Sequence, residues 1–321
     1  MPTNKPKILA VVGSTASGKT ALSIALAEAL GGEIISCDSM QLYRRMNIGT
    51  AKPTAEEMRG IPHHLIDIAD PADGKTATYS CADYVKDAGV AVSDVLSRSR
   101  LPIFCGGTGL YLDAFIRGGS FEETVTDEAL RGELAEFAQR NGNEALHARL
   151  RGVDAESAAA IHPNNVKRVI RALEIFMTTG KPKSLLDRQS REAESEYDFT
   201  VIGLKYSSRS TLYDRIDRRV DQMISDGLVE ETKQLRALGV FDTCPTAAQA
   251  IGYKELFPHL DGNATLDEAV TELKAATRRY AKRQITWFSA RPYVQWIDAD
   301  DGESMREFED IVNNAKKLFQ E

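Results

Sequence analysis

The sequence lacks paired cysteines, clustered histidines and long apolar runs. Its cysteines are Cys37, Cys81, Cys105 and Cys244, too far apart to suggest a disulfide framework or a thiolate metal centre. Only two of its five histidines, His63 and His64, are adjacent, and adjacent side chains point in different directions on most backbones. We therefore expect no metal site built from cysteine or histidine.

The apolar residues are also too dispersed for a membrane protein. No run reaches the roughly 18 residues that a transmembrane helix needs, and the first seven residues lack the apolar segment of a signal peptide. We therefore expect no membrane span and a cytoplasmic location. The 321 residues, 42% hydrophobic and 27% charged, suit a globular protein of one large or two modest domains.

The net charge of −7 disfavours nucleic acid as a partner when the chain is taken as a whole. The charge is unevenly distributed, however, because six basic residues and no acidic residue lie between Lys274 and Ile297. Local patches decide polyanion binding more than the total charge does, so a nucleic-acid surface stays open.

The clearest motif is a glycine-rich phosphate loop between an apolar run, residues 8–12, and a helical pattern, residues 21–30. The glycines let the backbone turn its N–H groups inward, and the helix start adds donors and a positive dipole end. The loop consists of Gly13, Ser14, Thr15, Ala16, Ser17, Gly18, Lys19 and Thr20. The lysine supplies a point charge and the final threonine a hydroxyl for Mg²⁺. We expect pyrophosphate or polyphosphate binding, and the loop alone does not distinguish a nucleotide from another donor.

The pattern of elements predicts an α/β fold, a P-loop-containing doubly wound parallel sheet with a helical insertion domain. Strands are predicted at residues 8–12, 33–37, 63–68, 101–105, 199–204 and 294–298. Residues 122–194 are rich in Ala, Glu and Arg, with helical stretches at 129–140, 143–150, 155–161 and 165–179. Later helices are predicted at about 210–238, 266–290 and 305–319. The expected domains are residues 1–120 and 196–321 for the core and 121–195 for the insertion.

Asp38 follows the second predicted strand and should lie near the phosphate loop, because both stand at carboxyl ends of parallel strands. A carboxylate there suits a general base or an acceptor for an attacking group. The alternative is a turn or capping residue.

The strand at 101–105 ends in Gly106, Gly107, Thr108 and Gly109 rather than in an acid. A conventional nucleotide-hydrolysing P-loop enzyme often has an acid there for its Mg²⁺ shell. The glycines instead favour the close approach of a flat or bulky substrate.

Three basic clusters could contact phosphates. Arg215 and Arg219 share a helix face, where they could reach pyrophosphate or simply pair with neighbouring aspartates. Arg278/Lys282 and Arg279/Arg283 are i,i+4 pairs of like charge, which are unfavourable unless something such as a phosphate backbone neutralises them. Lys167, Arg168 and Arg171 begin a helix of the insertion, and a solvated surface is the alternative there.

Taken together, these motifs make the chain resemble the bacterial tRNA dimethylallyltransferases, also called tRNA isopentenylpyrophosphate transferases. The matching stretches are residues 13–20, 38–43, 48–53, 62–67, 106–111, 161–164, 171–174, 250–254 and 281–288. They span nearly the whole chain and are far more specific than a phosphate loop alone.

The resemblance implies transfer of a dimethylallyl group from dimethylallyl pyrophosphate to the exocyclic amine of the adenine 3′ of the anticodon, with release of pyrophosphate. It implies Mg²⁺ as cofactor, held by Thr20, and a phosphate loop that grips the donor's pyrophosphate, although such loops are often described as ATP sites. It implies Asp38 as the base and Thr20 and Arg219 as further catalytic residues.

The resemblance also implies contacts with the anticodon stem-loop of tRNA. By position these are Asp38, Ser39, Met40, Gln41, Thr108, Arg131, Lys167, Arg168, Arg171, Gln249, Gly252, Tyr253, Lys254, Lys282, Arg283, Gln284 and Trp287. Ser289 stands where the family usually has a basic residue, with Arg291 two residues on, which puts one phosphate contact in doubt. We expect a monomer, since nothing in the sequence requires more.

Two other classes of protein share the phosphate loop. A small-molecule kinase would depend on a nucleoside triphosphate and need no RNA. A nucleic-acid-binding NTPase would hydrolyse ATP when nucleic acid is added. The prenyltransferase would release pyrophosphate only with tRNA and a prenyl donor.

Overall fold

A computed structural model describes residues 5–74, 79–118, 127–192, 195–302 and 304–321. The chain divides into two compact units. Unit 1 comprises residues 1–116 and 196–321, and unit 2 comprises residues 117–195. The predicted domain boundary at residues 120 and 121 lies outside the described residues.

Unit 1 is built on a parallel sheet whose strands follow the order β3-β2-β4-β1-β5-β6. The strands are β1 (Lys7–Gly13), β2 (Gly32–Ser36), β3 (His63–His64), β4 (Leu101–Gly106), β5 (Asp198–Lys205) and β6 (Val294–Asp298). The strand β1 lies between β4 and β5, in register through Val11 opposite Cys105 and Ile202. The carboxyl ends of β1, β2 and β4 therefore meet at one edge, where the sequence places the phosphate loop, Asp38 and the glycine segment.

The helices surround this sheet or form unit 2. They are α1 (Lys19–Leu30), α2 (Ala55–Met58), α3 (Cys81–Ser97), α4 (Gly109–Ile116), α5 (Glu128–Asn141), α6 (Asn143–Val153), α7 (Ala155–Ala160), α8 (Val166–Thr179), α9 (Lys183–Glu192), α10 (Arg209–Ser225), α11 (Leu228–Ala237), α12 (Val240–Thr243), α13 (Phe257–Leu260), α14 (Leu266–Ser289) and α15 (Phe308–Gln320). Single 3₁₀ turns occur at Ala247–Gln249 and Lys254–Leu256. Within the described ranges, no helix has both the length and the apolar character that crossing a membrane would require.

Alternate side chains of β1 are buried on opposite faces of the sheet, as expected of a strand covered on both sides. Ile8, Ala10 and Val12 belong to the core on the side of α3 and α14. Leu9 and Val11 pack in the second core, with α1 and α15. This arrangement is the doubly wound parallel sheet that the sequence predicts.

Two predicted elements are shorter than expected. The strand predicted at residues 63–68 ends at His64, because Leu65 and Asp67 adopt positive φ angles of 61° and 57° that a strand cannot contain. The helical region at 210–238 is interrupted at Gly227, whose φ of 99° caps α11 and separates it from α10.

Unit 2 is entirely helical in its described part and packs around its own apolar cluster. Leu134 of α5, Leu146 and Leu150 of α6, and Leu173 of α8 form that cluster. Its last helix, α9, lies in a stretch where the sequence pattern gave no helix beyond residue 179. The polar composition of α9 hides its period, since only two of its ten residues, Leu185 and Leu186, are large and apolar.

Candidate active site

The phosphate loop connects β1 to α1 and is held in place by contacts from α10 and α14. The Arg215 Nε donates a 3.0 Å hydrogen bond to the Ala16 carbonyl, and the Gln284 Oε1 accepts one of 2.8 Å from the Thr15 N–H. The Ser17 hydroxyl is buried and has no hydrogen-bond partner among the described residues. A loop that is fixed from outside and keeps a free donor inside suits an anionic ligand.

A cavity of about 250 Å³ opens beside this loop at the carboxyl ends of the strands. Lys19, Thr20, Asp38 and Arg219 all line it, so the three catalytic residues implied by the resemblance lie in one space. A second opening shares Lys19, Thr20 and Arg219 with it and is lined further by Glu57, Arg215 and Arg218. The lysine and threonine predicted to bind phosphate, together with Arg219, therefore line both spaces.

Burial in this cavity disfavours the charged forms of Lys19 and Arg219. Burial lowers the pKa of Lys19, the charge of Arg219 lowers it further, and Asp38 acts in the opposite direction. Burial also lowers the pKa of Arg219, against the raising effects of Glu57 and Asp38. Two desolvated cations facing one another favour the arrival of a polyanion, which relieves their mutual repulsion.

Asp38 is both the turn residue and the cavity residue that the sequence left as alternatives. Its Oδ1 accepts a 2.9 Å hydrogen bond from the Met40 N–H. Its Oδ2 receives no hydrogen bond from any residue that the structure describes. One oxygen thus fixes the carboxylate, and the other remains available for a ligand.

The residues after Asp38 are held by their neighbours. The Ser39 N–H donates to Thr108 Oγ1 at 3.0 Å, and the Gln41 Nε2 donates to the carbonyls of Thr50 and Ala51, both at 3.2 Å. Thr108 and Gln41 therefore shape this wall of the cavity from within the protein.

Gly107 and Gly109 serve close packing of protein on protein, which corrects the expectation, for these two positions, that the glycines admit a flat substrate. A Cβ on Gly107 would lie 2.0 Å from Gln284 Nε2, and a Cβ on Gly109 would lie 2.2 Å from Trp287 Cδ1. The glycines let α14 approach the end of β4. Only Gly106 of this segment lines the cavity.

Consequently Gln284 and Trp287 face inward. Gln284 is 5% exposed and bridges the phosphate loop to β4, since its Nε2 also donates to the Gly107 carbonyl at 3.1 Å. The Trp287 indole packs on Gly109 and lies 4.9 Å from the Arg291 guanidinium. Both side chains pack against the glycine segment, and Gln284 also lines the cavity.

The basic residues of α14 are mostly neutralised within the protein, contrary to the expectation that they need a phosphate partner. Asp217 pairs with Arg278 through an Nε–Oδ1 bond of 3.0 Å, Glu272 pairs with Arg279 at 2.5 Å, and Asp221 pairs with Lys274 at 2.6 Å. Lys282 and Arg283 are exposed and have no carboxylate partner in the described part of the chain. Asp217 is thus not the local partner of Arg215 that the alternative interpretation supposed.

Arg291 does not replace the missing basic residue at Ser289. Its guanidinium pairs with the buried Asp113 at 2.7 Å, and Tyr293 also bonds to that carboxylate. Hydrogen bonding to Asp113 raises the pKa of Arg291.

The segment from Gln249 to Lys254 forms another wall. Gln249, Gly252 and Lys254 line the cavity, and the Lys254 Nζ donates to the Gln249 carbonyl at 3.1 Å. Tyr253 is fully buried, with its hydroxyl 2.8 Å from Glu231 Oε1. Its side chain belongs to the interior.

The basic residues of unit 2 that the resemblance assigns to tRNA contacts divide into two groups. Arg131 and Arg171 both bind the fully buried Glu174, through contacts of 2.9 and 2.5 Å. Burial would raise the pKa of Glu174, but hydrogen bonds from Arg171, the Asp127 N–H and Arg131 outweigh it and lower the pKa. Lys167 and Arg168 are exposed and have no carboxylate partner among the described residues.

Sequence reasoning missed the apolar wall of the cavity and the supports behind it. Val220, Met223 and Leu273 line the same cavity as the charged groups. Their spacing is that of ordinary core residues, so no signal in the sequence marks them. Glu231, which bonds to three successive backbone N–H groups, looks like an ordinary acid in the first turn of a helix.

Known proteins are similar to this chain over most of its length. A family model described as IPP transferase matches residues 41–291. A tRNA dimethylallyltransferase of Halalkalibacterium halodurans is 49% identical over 309 residues, covering 96% of each chain. One from Geobacillus thermodenitrificans is 50% identical over 297 residues, covering 92% of each.

Solved structures are similar in fold as well as in sequence. The full-length tRNA isopentenylpyrophosphate transferase of Bacillus halodurans has a TM-score of 0.71 at 47% identity, covering 98% of this chain and 97% of that one. A eukaryotic dimethylallyltransferase acting on tRNA has a TM-score of 0.77 at 30% identity, covering 92% and 74%. The chain therefore belongs to the IPP transferase family, the tRNA dimethylallyltransferases.

Proposed function

We propose that the protein transfers a dimethylallyl group from dimethylallyl pyrophosphate to the exocyclic amine of the adenine 3′ of the anticodon in tRNA. The observation that carries this proposal is the composition of one cavity. Its charged end, with Lys19 and Arg219, suits a pyrophosphate, and its apolar wall, with Val220, Met223 and Leu273, suits a five-carbon chain. Asp38 supplies the carboxylate that a nucleophilic amine needs beside both.

The chemistry follows from these positions. The allylic C–O bond breaks as pyrophosphate leaves, and Lys19 and Arg219 stabilise the negative charge on the leaving oxygens. The adenine nitrogen forms the new C–N bond and loses a proton to Asp38 Oδ2. The amine is a poor nucleophile, so holding it against the allylic carbon contributes much of the rate.

The cavity also suits Mg²⁺ as a cofactor. Mg²⁺ takes hard oxygen ligands, keeps several waters and relies on substrate phosphates more than on a complete protein cage. The Thr20 hydroxyl and the Asp38 carboxylate offer such oxygens, and no cluster of three acidic, histidine or cysteine side chains exists in the described ranges. When bound, Mg²⁺ would neutralise charge on the pyrophosphate, with Thr20 as its protein ligand.

The tRNA would be held through its backbone. A base inside a stem-loop must leave its stack to enter a buried cavity, as in other enzymes that modify bases. We propose that Lys282 and Arg283 of α14, and Lys167 and Arg168 of α8, contact phosphates, because these basic side chains are exposed and have no carboxylate partner within the described residues. One chain supplies every group named, so we propose that a monomer in the cytoplasm is competent.

The decisive experiment is transfer of radiolabelled dimethylallyl pyrophosphate to unmodified tRNA, with Mg²⁺ and with ATP omitted. We expect label in the anticodon loop and one pyrophosphate released per transfer. No label from folded protein, together with ATP-dependent phosphorylation of a small molecule without RNA, would instead indicate the kinase alternative.

Replacing Arg283 with alanine is expected to weaken tRNA binding and reduce the slope of log affinity against log salt by about one, as for a lost phosphate contact. Filter binding between low and moderate salt measures that slope. The control is Arg279→Ala on the same helix, whose guanidinium is paired with Glu272. An unchanged slope for Arg283→Ala, or equal slopes for the two variants, would contradict the contact.

A further inference from the structure

We propose that Glu231 is a positioning residue for this reaction, which holds Asp38 in place through the loop at residues 47–51. This role rests on the proposed function. Glu231 lies on α11 and does not line the cavity. Any effect that it has on turnover must therefore pass through the residues that it binds.

The Glu231 carboxylate is bound by consecutive backbone donors. Its Oε2 accepts the N–H groups of Asn47 at 3.1 Å and Ile48 at 2.9 Å, and its Oε1 accepts those of Ile48 at 3.0 Å and Gly49 at 3.1 Å. The Tyr253 hydroxyl adds a bond of 2.8 Å to Oε1. Successive N–H groups that converge on one anion form a strong, charge-assisted site, here occupied by the protein's own carboxylate.

The packing around this site leaves the loop little freedom. A Cβ on Gly49 would lie 2.4 Å from Tyr253 Cζ, so the ring rests directly on the loop backbone. Gly252, with a φ of 113°, packs against the same turn, where its own Cβ would lie 3.2 Å from the Gly49 carbonyl oxygen. Glu231 and Tyr253 thus clamp the loop from two sides.

The clamped loop is connected to Asp38 by hydrogen bonds. The Ala51 N–H donates to the Ile48 carbonyl at 3.0 Å. The side-chain Nε2 of Gln41 donates to the carbonyls of Thr50 and Ala51. The Gln41 and Met40 N–H groups in turn face Asp38 Oδ1, at 3.4 and 2.9 Å. Each link is short, so a shift of the loop moves the turn that orients the carboxylate.

The matched test compares Glu231→Gln with Glu230→Gln. The glutamine amide would turn N–H donors toward backbone N–H groups and so weaken the clamp, while the side chain at position 231 keeps nearly the same size. Glu230 is the exposed neighbour on the same helix, 3.6 Å from Lys233. In single-turnover transfer with saturating tRNA and donor, we expect Glu231→Gln to lose about 100-fold in rate, the size of a misplaced catalytic group, and Glu230→Gln to keep the wild-type rate.

A double-mutant cycle separates positioning from a general structural role. If Glu231 acts through Asp38, Glu231→Gln adds almost nothing to the loss in an Asp38→Ala background. Equal losses in both backgrounds, or wild-type transfer by Glu231→Gln, would overturn the proposal.

Tyr253→Phe provides a second variant if Glu231→Gln folds poorly. It removes one hydrogen bond from the carboxylate and keeps the ring against Gly49, so we expect a smaller loss that also disappears in the Asp38→Ala background. A wild-type protein that transfers no label would instead reject the proposed function, and this role with it.

Discussion

Replacing Asp38 with alanine is expected to lower turnover by about 10²–10⁴-fold, the usual contribution of a general base. The reason is that Asp38 lines the cavity together with Lys19 and Arg219, which we propose bind the pyrophosphate. Single-turnover transfer to tRNA measures the loss, and filter binding should show tRNA affinity close to that of the wild type. A large loss of tRNA affinity with normal turnover would contradict the assignment of Asp38 as the general base.

Asp38→Asn separates the two roles of this side chain. The asparagine Oδ1 can still accept the hydrogen bond from Met40, so the turn is retained. It cannot take a proton from the adenine amine. We therefore expect Asp38→Asn to be nearly as slow as Asp38→Ala but closer to the wild type in thermal stability. A near-normal rate for Asp38→Asn would indicate that the turn, rather than the base, matters.

Replacing Arg219 with alanine is expected to reduce turnover by about 10²–10³-fold, as for removal of a donor that stabilises a developing negative charge. Arg219 lines both openings beside Lys19, and its charge is held against a burial cost that lowers its pKa. A cation maintained at such a cost suits charge on the leaving group. Steady-state release of pyrophosphate measures the effect.

The control for Arg219→Ala is Arg209→Ala. Arg209 is exposed at the start of the same helix and lines neither opening. Arg209→Ala should therefore leave turnover near the wild-type value. Similar losses of turnover in both variants would show that removing any positive charge from α10 slows the reaction. That result would contradict a specific role for Arg219.

The sequence was sufficient for the features that local patterns encode. The apolar run of β1, the glycines of the phosphate loop and the position of Asp38 after β2 follow from strand and turn chemistry, and their meeting at one sheet edge follows from parallel topology. The helices of the described insertion also follow from their period, except α9, whose composition is too polar to reveal one.

Features that depend on packing between distant segments could not be predicted. The partner of Arg278 is Asp217, 61 residues away, so Arg278 appeared unpaired when α14 was considered alone. Gly107 allows the close approach of Gln284, which only the tertiary structure reveals. Glu231 carries no local signal, because its three donors lie in a loop that precedes it by some 180 residues.

The strand order has a consequence for synthesis on the ribosome. The strands β3, β2, β4 and β1 all lie within the first 106 residues, so four of the six strands can pair early. The other edge of β1 has to wait for β5, which begins at Asp198, after all of unit 2 has been translated. Ribosomes add roughly 5–20 residues per second. For several seconds each nascent chain therefore carries an apolar strand with an unpaired edge, which can pair with another chain until β5 is made.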